Sequence, residues 1–194
     1  TDFENEKYNI LIGTQMIAKG LDFPKVTLVG VINGDATLNI PDFRSGERTF
    51  QLLNQVAGRA GRSSLLGEVI IQGFNTDHYS LICTKNHDYL SFYNEEMKIR
   101  KILKYPPFYN LCLIKIQGIN ATKCEEESNK IITYLRNNLK DEIILGPTTA
   151  MIPKVNNIYH YQIIIKYKDT KEIYQYLKFI NGKYSNNKIT VGID

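Results

Sequence analysis

The sequence predicts an α/β fold in two parts: a parallel sheet with covering helices, then a smaller α+β unit. Three observations predict it. Short apolar runs without alternation recur in the first half, as in strands buried on both faces of a parallel sheet. The tandem prolines of Tyr105-Pro106-Pro107 remove two backbone donors and push Tyr105 into an extended state. Beyond them the periodic segments follow the order strand, helix, strand, strand, helix, strand, the split β-α-β layout of a ferredoxin-like unit. The expected division is 1–104 and 105–194.

In the first part, YNILIGT (8–14) is an apolar run closed by Gly and Thr and is expected to be a buried strand. Residues 15–24 hold Lys19-Gly20 and end at Pro24, so they form a loop. VTLVGVI (26–32) is a second strand, and NGDATLNIPDFRSG (33–46) is rich in turn formers. A helix follows from about Glu47, then a third strand, GEVIIQG (67–73). Residues 77–103 are helical with a break near Asn86.

In the second part Asn110–Gln117 is a strand. Ala121–Lys140 is a helix whose Cys124, Ser128, Ile131, Leu135 and Leu139 form one stripe. Ile143–Leu145 is a short strand ended by Gly146-Pro147, and Ile158–Tyr167 is a longer one. Asp169–Tyr184 is a helix capped by Asp169 or Thr170, and Lys188–Ile193 is the last strand. Along 158–167 the face Tyr159, Tyr161, Ile163, Ile165, Tyr167 is expected to meet the core. Ile158, His160, Gln162, Ile164 and Lys166 fall on the uncovered side, joined by Lys115 and Gln117.

Composition excludes several classes. The chain has 194 residues, 43% hydrophobic and 23% charged, with 13 Gly and 6 Pro, a globular balance that rules out disordered and fibrous chains. Three scattered cysteines, Cys83, Cys112 and Cys124, make no disulfide framework, so a reducing, cytoplasmic setting is expected. No apolar stretch approaches the roughly 18 residues of a membrane span, and TDFENEKYN does not read as a signal peptide. The net charge of +4 hides an asymmetry: residues 1–99 carry 9 basic and 12 acidic side chains, residues 100–194 carry 15 and 8. A basic second half suits either a polyanion partner or an ordinary solvated surface.

The stretch Gln51–Arg62 carries the chemistry. Wound as a helix at about 100° per residue, Phe50, Leu53, Ala57 and Ala60 share one face. Gln55, Arg59 and Arg62 share the opposite one. Two guanidiniums a turn apart with an amide beside them make a multi-donor clamp for phosphate oxygens. Gly58 and Gly61 equally suit a solvated helix end with a glycine cap. On the first loop Thr14 and Lys19 could hold phosphate and Asp22 a ribose hydroxyl, next to Gly20, at the carboxyl edge of a strand where open α/β sheets bind ligands. Plain turn chemistry is the alternative there.

Taken together, GTQMIAKGLDFP (13–24) and QVAGRAGR (55–62) resemble motifs V and VI of superfamily 2 helicases. PDFRSGERTFQ (41–51), LKYPPF (103–108) and ILGPTTAMIPK (144–154) narrow the resemblance to the PriA family of bacterial replication-restart helicases, over essentially the whole chain. The resemblance implies a partial second RecA-like lobe followed by the family's C-terminal domain. It implies that Arg59 and Arg62 reach the ATP γ-phosphate, that Gln55 positions nucleotide or water, and that Gly20 and Asp22 lie at the nucleotide. It implies that Thr14 contacts the DNA backbone. Read from the residues, Lys19 could hold phosphate, and Lys115 and Lys166 with the tyrosines of a ferredoxin-like sheet could bind single-stranded DNA, or simply belong to an amphipathic sheet face. Gln162 is the one residue of the family's pocket for the tail of single-stranded-DNA-binding protein that carries over, since the stretch 156–162 holds no arginine.

No G-x-x-x-x-G-K-[ST] loop, acidic Walker B box or zinc-type cysteine cluster occurs. His78, Cys83 and His87 read as helix-face residues rather than metal ligands. The chain is therefore expected to be the C-terminal portion of a larger, monomeric DNA helicase and to be inactive as an ATPase by itself. ATP and Mg2+ would be completed by a first lobe, and the family's Zn2+ held outside this segment. Forked and single-stranded DNA, single-stranded-DNA-binding protein and other primosome proteins are the expected partners, with no membrane. An RNA-binding reading fails because no K/R-G-F/Y-G/A-F-V-x-F/Y segment is present. A non-catalytic docking or nucleic-acid-binding module is the remaining alternative.

Overall fold

The computed structural model describes residues 2–14, 23, 25–58, 60, 67–184 and 189–194. The chain forms two compact units, 1–98 and 99–194, and the division falls within one helix.

In the first unit β1 (Leu28–Val31) and β2 (Glu68–Ile71) pair in parallel, Leu28 opposite Glu68 and Val31 opposite Ile71. A 3-10 turn (Ala36–Asn39) leads to α1 (Ser45–Ala57), and after β2 come α2 (Tyr79–Lys85) and α3 (Tyr89–Ile102). The helix break expected near Asn86 is there. Asn86 is the C-cap of α2, and the backbone turns back through His87, at φ 52°. The core of this unit is aromatic: Phe50 and Phe92 stack face to face at 4.0 Å, with Tyr79 5.8 Å from Phe92 and Cys83 beside them.

The expected strand 8–14 is not formed. Ile10 and Ile12 are 77% and 90% exposed, and no pairing involves this segment among the described residues. A parallel strand gains its burial and its hydrogen bonds from neighbours on both sides. Here the described ladder holds β1 and β2 alone. For the same reason β1 and β2 are not covered on both faces, and Leu28 and Ile70 remain more than half exposed.

The second unit contains β3 (Asn110–Gly118), α4 (Ala121–Asn138), β4 (Ile143–Val155), β5 (Ile158–Tyr167), α5 (Thr170–Tyr184) and β6 (Ile189–Ile193). The strands form one antiparallel sheet in the order β4-β5-β3-β6, the ferredoxin-like arrangement. The side chain of Asn120 caps α4 by accepting the N–H of Lys123 at 3.0 Å. The expected stripe is the buried one: Cys124, Ser128, Ile131 and Leu135 are at most 1% exposed and Leu139 6%. It packs with Ile173 and Ile180 of α5 on Ile114, Ile116, Ile163 and Ile165 of the sheet. The expected core face of β5 is therefore the observed one.

β4 runs much further than the three residues expected. Gly146-Pro147 does not end it but shifts its register between Leu145 and Thr148. Gly146 sits at φ +101°, where a Cβ would lie 2.8 Å from the carbonyl oxygen of Gln162. Only glycine can make that close pass, so the strand bulges and continues. Asn156 and Asn157, both at positive φ, then turn the chain into β5.

Because Ile114 has no solvent exposure and lies at the centre of this core, Ile114→Ala is expected to destabilise the chain by about 2–5 kcal/mol. Urea unfolding followed by far-ultraviolet circular dichroism measures it.

Candidate nucleotide and nucleic-acid sites

The motif-bearing helix is fixed at its start by charge. The Asp42 carboxylate accepts the N–H of Arg44 at 2.9 Å and its guanidinium at 2.9 and 3.1 Å, and pairs with Arg48 at 2.9 Å. The Arg44 bond, with the Arg48 charge adding to it, holds the Asp42 carboxyl below the usual carboxylate range. The Ser45 hydroxyl donates to the carbonyls of Ile40 and Asp42, both at 2.6 Å. The helix then lies against α2: the Ser80 hydroxyl donates to the Gly46 carbonyl at 3.0 Å. A Cβ on Gly46 would come within 2.5 Å of the Tyr79 hydroxyl. That hydroxyl donates to the buried Glu96 carboxylate at 2.5 Å.

On this mount Phe50 and Leu53 are buried and Gln55 is exposed, the two faces expected from the winding. α1 ends at Ala57, and the Gly58 N–H donates to the Asn54 carbonyl at 3.0 Å. Arg59 and Arg62 lie outside the described residues, as do Lys19, Gly20 and Asp22. Thr14 is exposed and belongs to no strand or helix.

A second anchor, Asp35, was not singled out from the sequence. It follows β1, where ligands gather in open α/β sheets, and is 3% exposed. One carboxylate oxygen accepts the N–H groups of Phe74 and Asn75 at 2.8 and 2.6 Å, tying the loop after β1 to the loop after β2. The other has no hydrogen-bond partner among the described residues. The Asn75 bond first, with Phe74 helping and burial opposing, pulls the Asp35 carboxyl below its ordinary value. The signal in the sequence was an acid in a turn-rich loop, NGDATLN, which reads as turn chemistry until β2 is placed beside it.

In the second unit the structure brings Lys115 and Gln162 together as cross-strand partners of β3 and β5. The Lys115 ammonium pairs with the Asp194 carboxylate. Gln162 is half-buried.

Lys166 does not stand where a DNA contact needs it. It is 6% exposed, its ammonium donates to the Leu103 carbonyl at 2.8 Å, and it lies 3.5 Å from the centroid of the Tyr105 ring. The alternation along β5 placed Lys166 on the sheet's uncovered side, but the segment before β3 folds over that end. A buried ammonium needs such partners.

His78 is used locally. Its Nδ1 accepts the N–H of Ser80 at 3.2 Å, and desolvation lowers its pKa against the opposing pull of Glu96. Among the described residues no group of three or more His, Cys, Asp or Glu could hold a metal ion. Cys83, Cys112 and Cys124 are free and buried, and burial, with the Asp194 charge adding to it, pushes the Cys112 thiol up to about 11. No described helix is long and apolar enough to cross a membrane.

Two outcomes follow. The Asp35 bonds strengthen with the charge of the carboxylate, so their contribution is present above the ordinary carboxyl range and is lost as pH falls through the lowered value. Asp35→Ala is expected to melt below wild type at neutral pH, with the gap closing below about pH 4, as a series of thermal melts would show. Lys166→Gln is expected to lower the urea midpoint while leaving DNA affinity unchanged in an anisotropy titration.

Residues 1–64 match the family model described as the helicase conserved C-terminal domain, and residues 101–194 match the primosomal protein N C-terminal domain. The replication restart protein PriA of Bacillus subtilis (strain 168) is 49% identical over 183 residues, 94% of this chain and 23% of that protein. The protein of the same name from Chlamydia pneumoniae is 42% identical over 165 residues, 84% of this chain and 22% of that protein. That of Synechocystis sp. is 40% identical over 166 residues, 85% and 20%. The chain thus spans less than a quarter of the length of these relatives. With a helicase C-terminal lobe joined to the domain that characterises primosomal protein N, the chain belongs to the PriA family of replication restart proteins.

Proposed function

We propose that this chain is the part of an ATP-dependent DNA helicase that completes the nucleotide site and contacts DNA, in a protein that restarts stalled replication forks and initiates primosome assembly. The observation that carries the reading is the seating of α1. Asp42, Ser80 and the close pass at Gly46 fix its start, Phe50 and Leu53 bury one face, and Gln55 stands exposed near its end, four residues before Arg59 in the sequence. A helix held in this way delivers its last side chains at a fixed place, and preorganised donors are what a triphosphate rewards.

The residues present fit one side of a nucleotide. The Gln55 amide and the Arg59 and Arg62 guanidiniums are donors suited to phosphate oxygens, with Gly20 and Asp22 at the nucleotide and Thr14 and Lys19 on the DNA backbone. Bound ATP with its Mg2+ supplies the phosphoryl-transfer energy that drives strand separation. Arg59 and Arg62 would hold the terminal phosphate oxygens and neutralise charge that develops there. Gln55 would orient the group facing them. The Mg2+, the base-side contacts and the family's Zn2+ would fall to residues beyond this segment.

In the second unit Lys115 would face forked or single-stranded DNA and Gln162 the tail of single-stranded-DNA-binding protein. Other primosome proteins are the further partners of a monomeric, cytoplasmic enzyme.

Arg62→Ala in the intact protein tests the reading. ATP turnover is expected to fall by roughly 10³–10⁵-fold with DNA affinity preserved, in paired steady-state ATPase and fluorescence anisotropy assays. Turnover that survives the substitution removes the arginine from the nucleotide site.

A further inference from the structure

The loops that leave β1 and β2 meet at the carboxyl edge of their sheet through a series of close backbone passes. The Gly34 N–H donates to the Gln72 carbonyl at 2.7 Å. A Cβ on Gly34 would lie 2.6 Å from Ile71 Cγ2 and 3.4 Å from Leu53 Cδ2. One residue on, the Asp35 carboxylate accepts the backbone N–H groups of Phe74 and Asn75. Gly73 passes so near this carboxylate that a Cβ there would be 3.1 Å from its carbon and from one of its oxygens.

Leu53 belongs to α1 and has no solvent exposure, while Gln55 stands exposed two residues further on. Two residues of a helix are separated by about 200°, so what holds Leu53 down also decides where Gln55 points. The clasped loops are therefore the floor under the later half of α1. Asp35 stands at the approach to its start as well. It precedes the 3-10 turn that leads to α1, and its carbonyl accepts the Leu38 N–H at 2.9 Å.

The other Asp35 oxygen is buried and has no hydrogen-bond partner among the described residues. An unsatisfied buried oxygen is a cost to the fold, and such costs collect where geometry serves function. The carboxylate is too enclosed to meet a ligand, at 3% exposure. It acts through what it holds.

We propose that Asp35 is a positioning residue for the nucleotide chemistry of α1: by clasping the two loops it fixes the floor under Leu53 and with it the direction of Gln55. The proposal rests on the reading of α1 as the nucleotide helix.

Steady-state ATPase assays on the intact protein test it, at a temperature where circular dichroism shows each variant folded. Misplacing a group that acts in the transition state lowers kcat and leaves KM in place. Asp35→Ala is expected to lower kcat by roughly ten- to a hundredfold, with KM for ATP and DNA affinity unchanged. Asp35→Asn, whose amide oxygen can accept the same two N–H groups, is expected to recover most of the loss. Gly73→Ala presses a methyl group on the carboxylate without deleting it. It is expected to lower kcat less than Asp35→Ala does, and it carries the test should Asp35→Ala fail to fold. Wild-type kcat in folded Asp35→Ala, or in Gly73→Ala where the first does not fold, overturns the proposal and leaves Asp35 as part of the scaffold alone. A rise in KM with kcat intact overturns it too. Both results leave the nucleotide reading standing, which falls separately if Arg62→Ala keeps its ATP turnover.

Discussion

The absence of a side chain at Gly46 governs where α1 can lie. The helix start passes so close to Tyr79, Ser80 and Glu96 that a methyl group would collide with a phenol hydroxyl. In exchange, the Ser80 hydroxyl reaches the helix backbone, and the bond between Tyr79 and Glu96 lies under it. The stacked rings of Phe50 and Phe92 close the same contact one turn further along. The direction in which Gln55 points depends on this seating, because a helix free to roll would turn it anywhere on its circumference.

The second unit distributes its chemistry differently. Its interior is almost wholly aliphatic, built from isoleucines of β3, β5 and α5 against the stripe of α4. The two outward surfaces then differ in kind. The sheet face is mixed, with cross-strand Lys115 and Gln162 beside the pair Leu113 and Ile164, and a cation consumed at one end. On the helical side Tyr134 stacks on Phe179, and Lys130 pairs with Glu127. A basic excess in the sequence could not say which surface holds the usable charge. The partners of each lysine decide that.

Much of this was readable in advance. The two helices of the second unit and the buried face of β5 followed from periodicity, because burial on one side imposes a repeat on the sequence. So did α1 as far as Ala57, with its buried Phe50 and Leu53 and exposed Gln55, though the helix ends before the Ala60 and Arg62 that the winding also included. Three features resisted. The run 8–14 has the composition of a buried strand, but composition does not supply the neighbours a strand needs. Gly146-Pro147 has the chemistry of a stop, yet a bulge uses the same residues, and only the adjacent strand distinguishes them. Lys166 fits the alternation of β5, and its burial depends on a segment more than sixty residues earlier in the chain. Asp35 was missed for the opposite reason: its partners are backbone N–H groups, which carry no mark in a sequence.

The joint between Lys166 and the segment preceding β3 has a mechanical meaning. The bond to Leu103 and the Tyr105 ring beneath the ammonium cross-link β5 to the residues that enter the sheet. Pulling that entry away must strip a cation of its carbonyl and its ring with little water at hand to replace them. The junction should therefore resist load like a shear pin, holding until the cation itself lets go and then yielding abruptly.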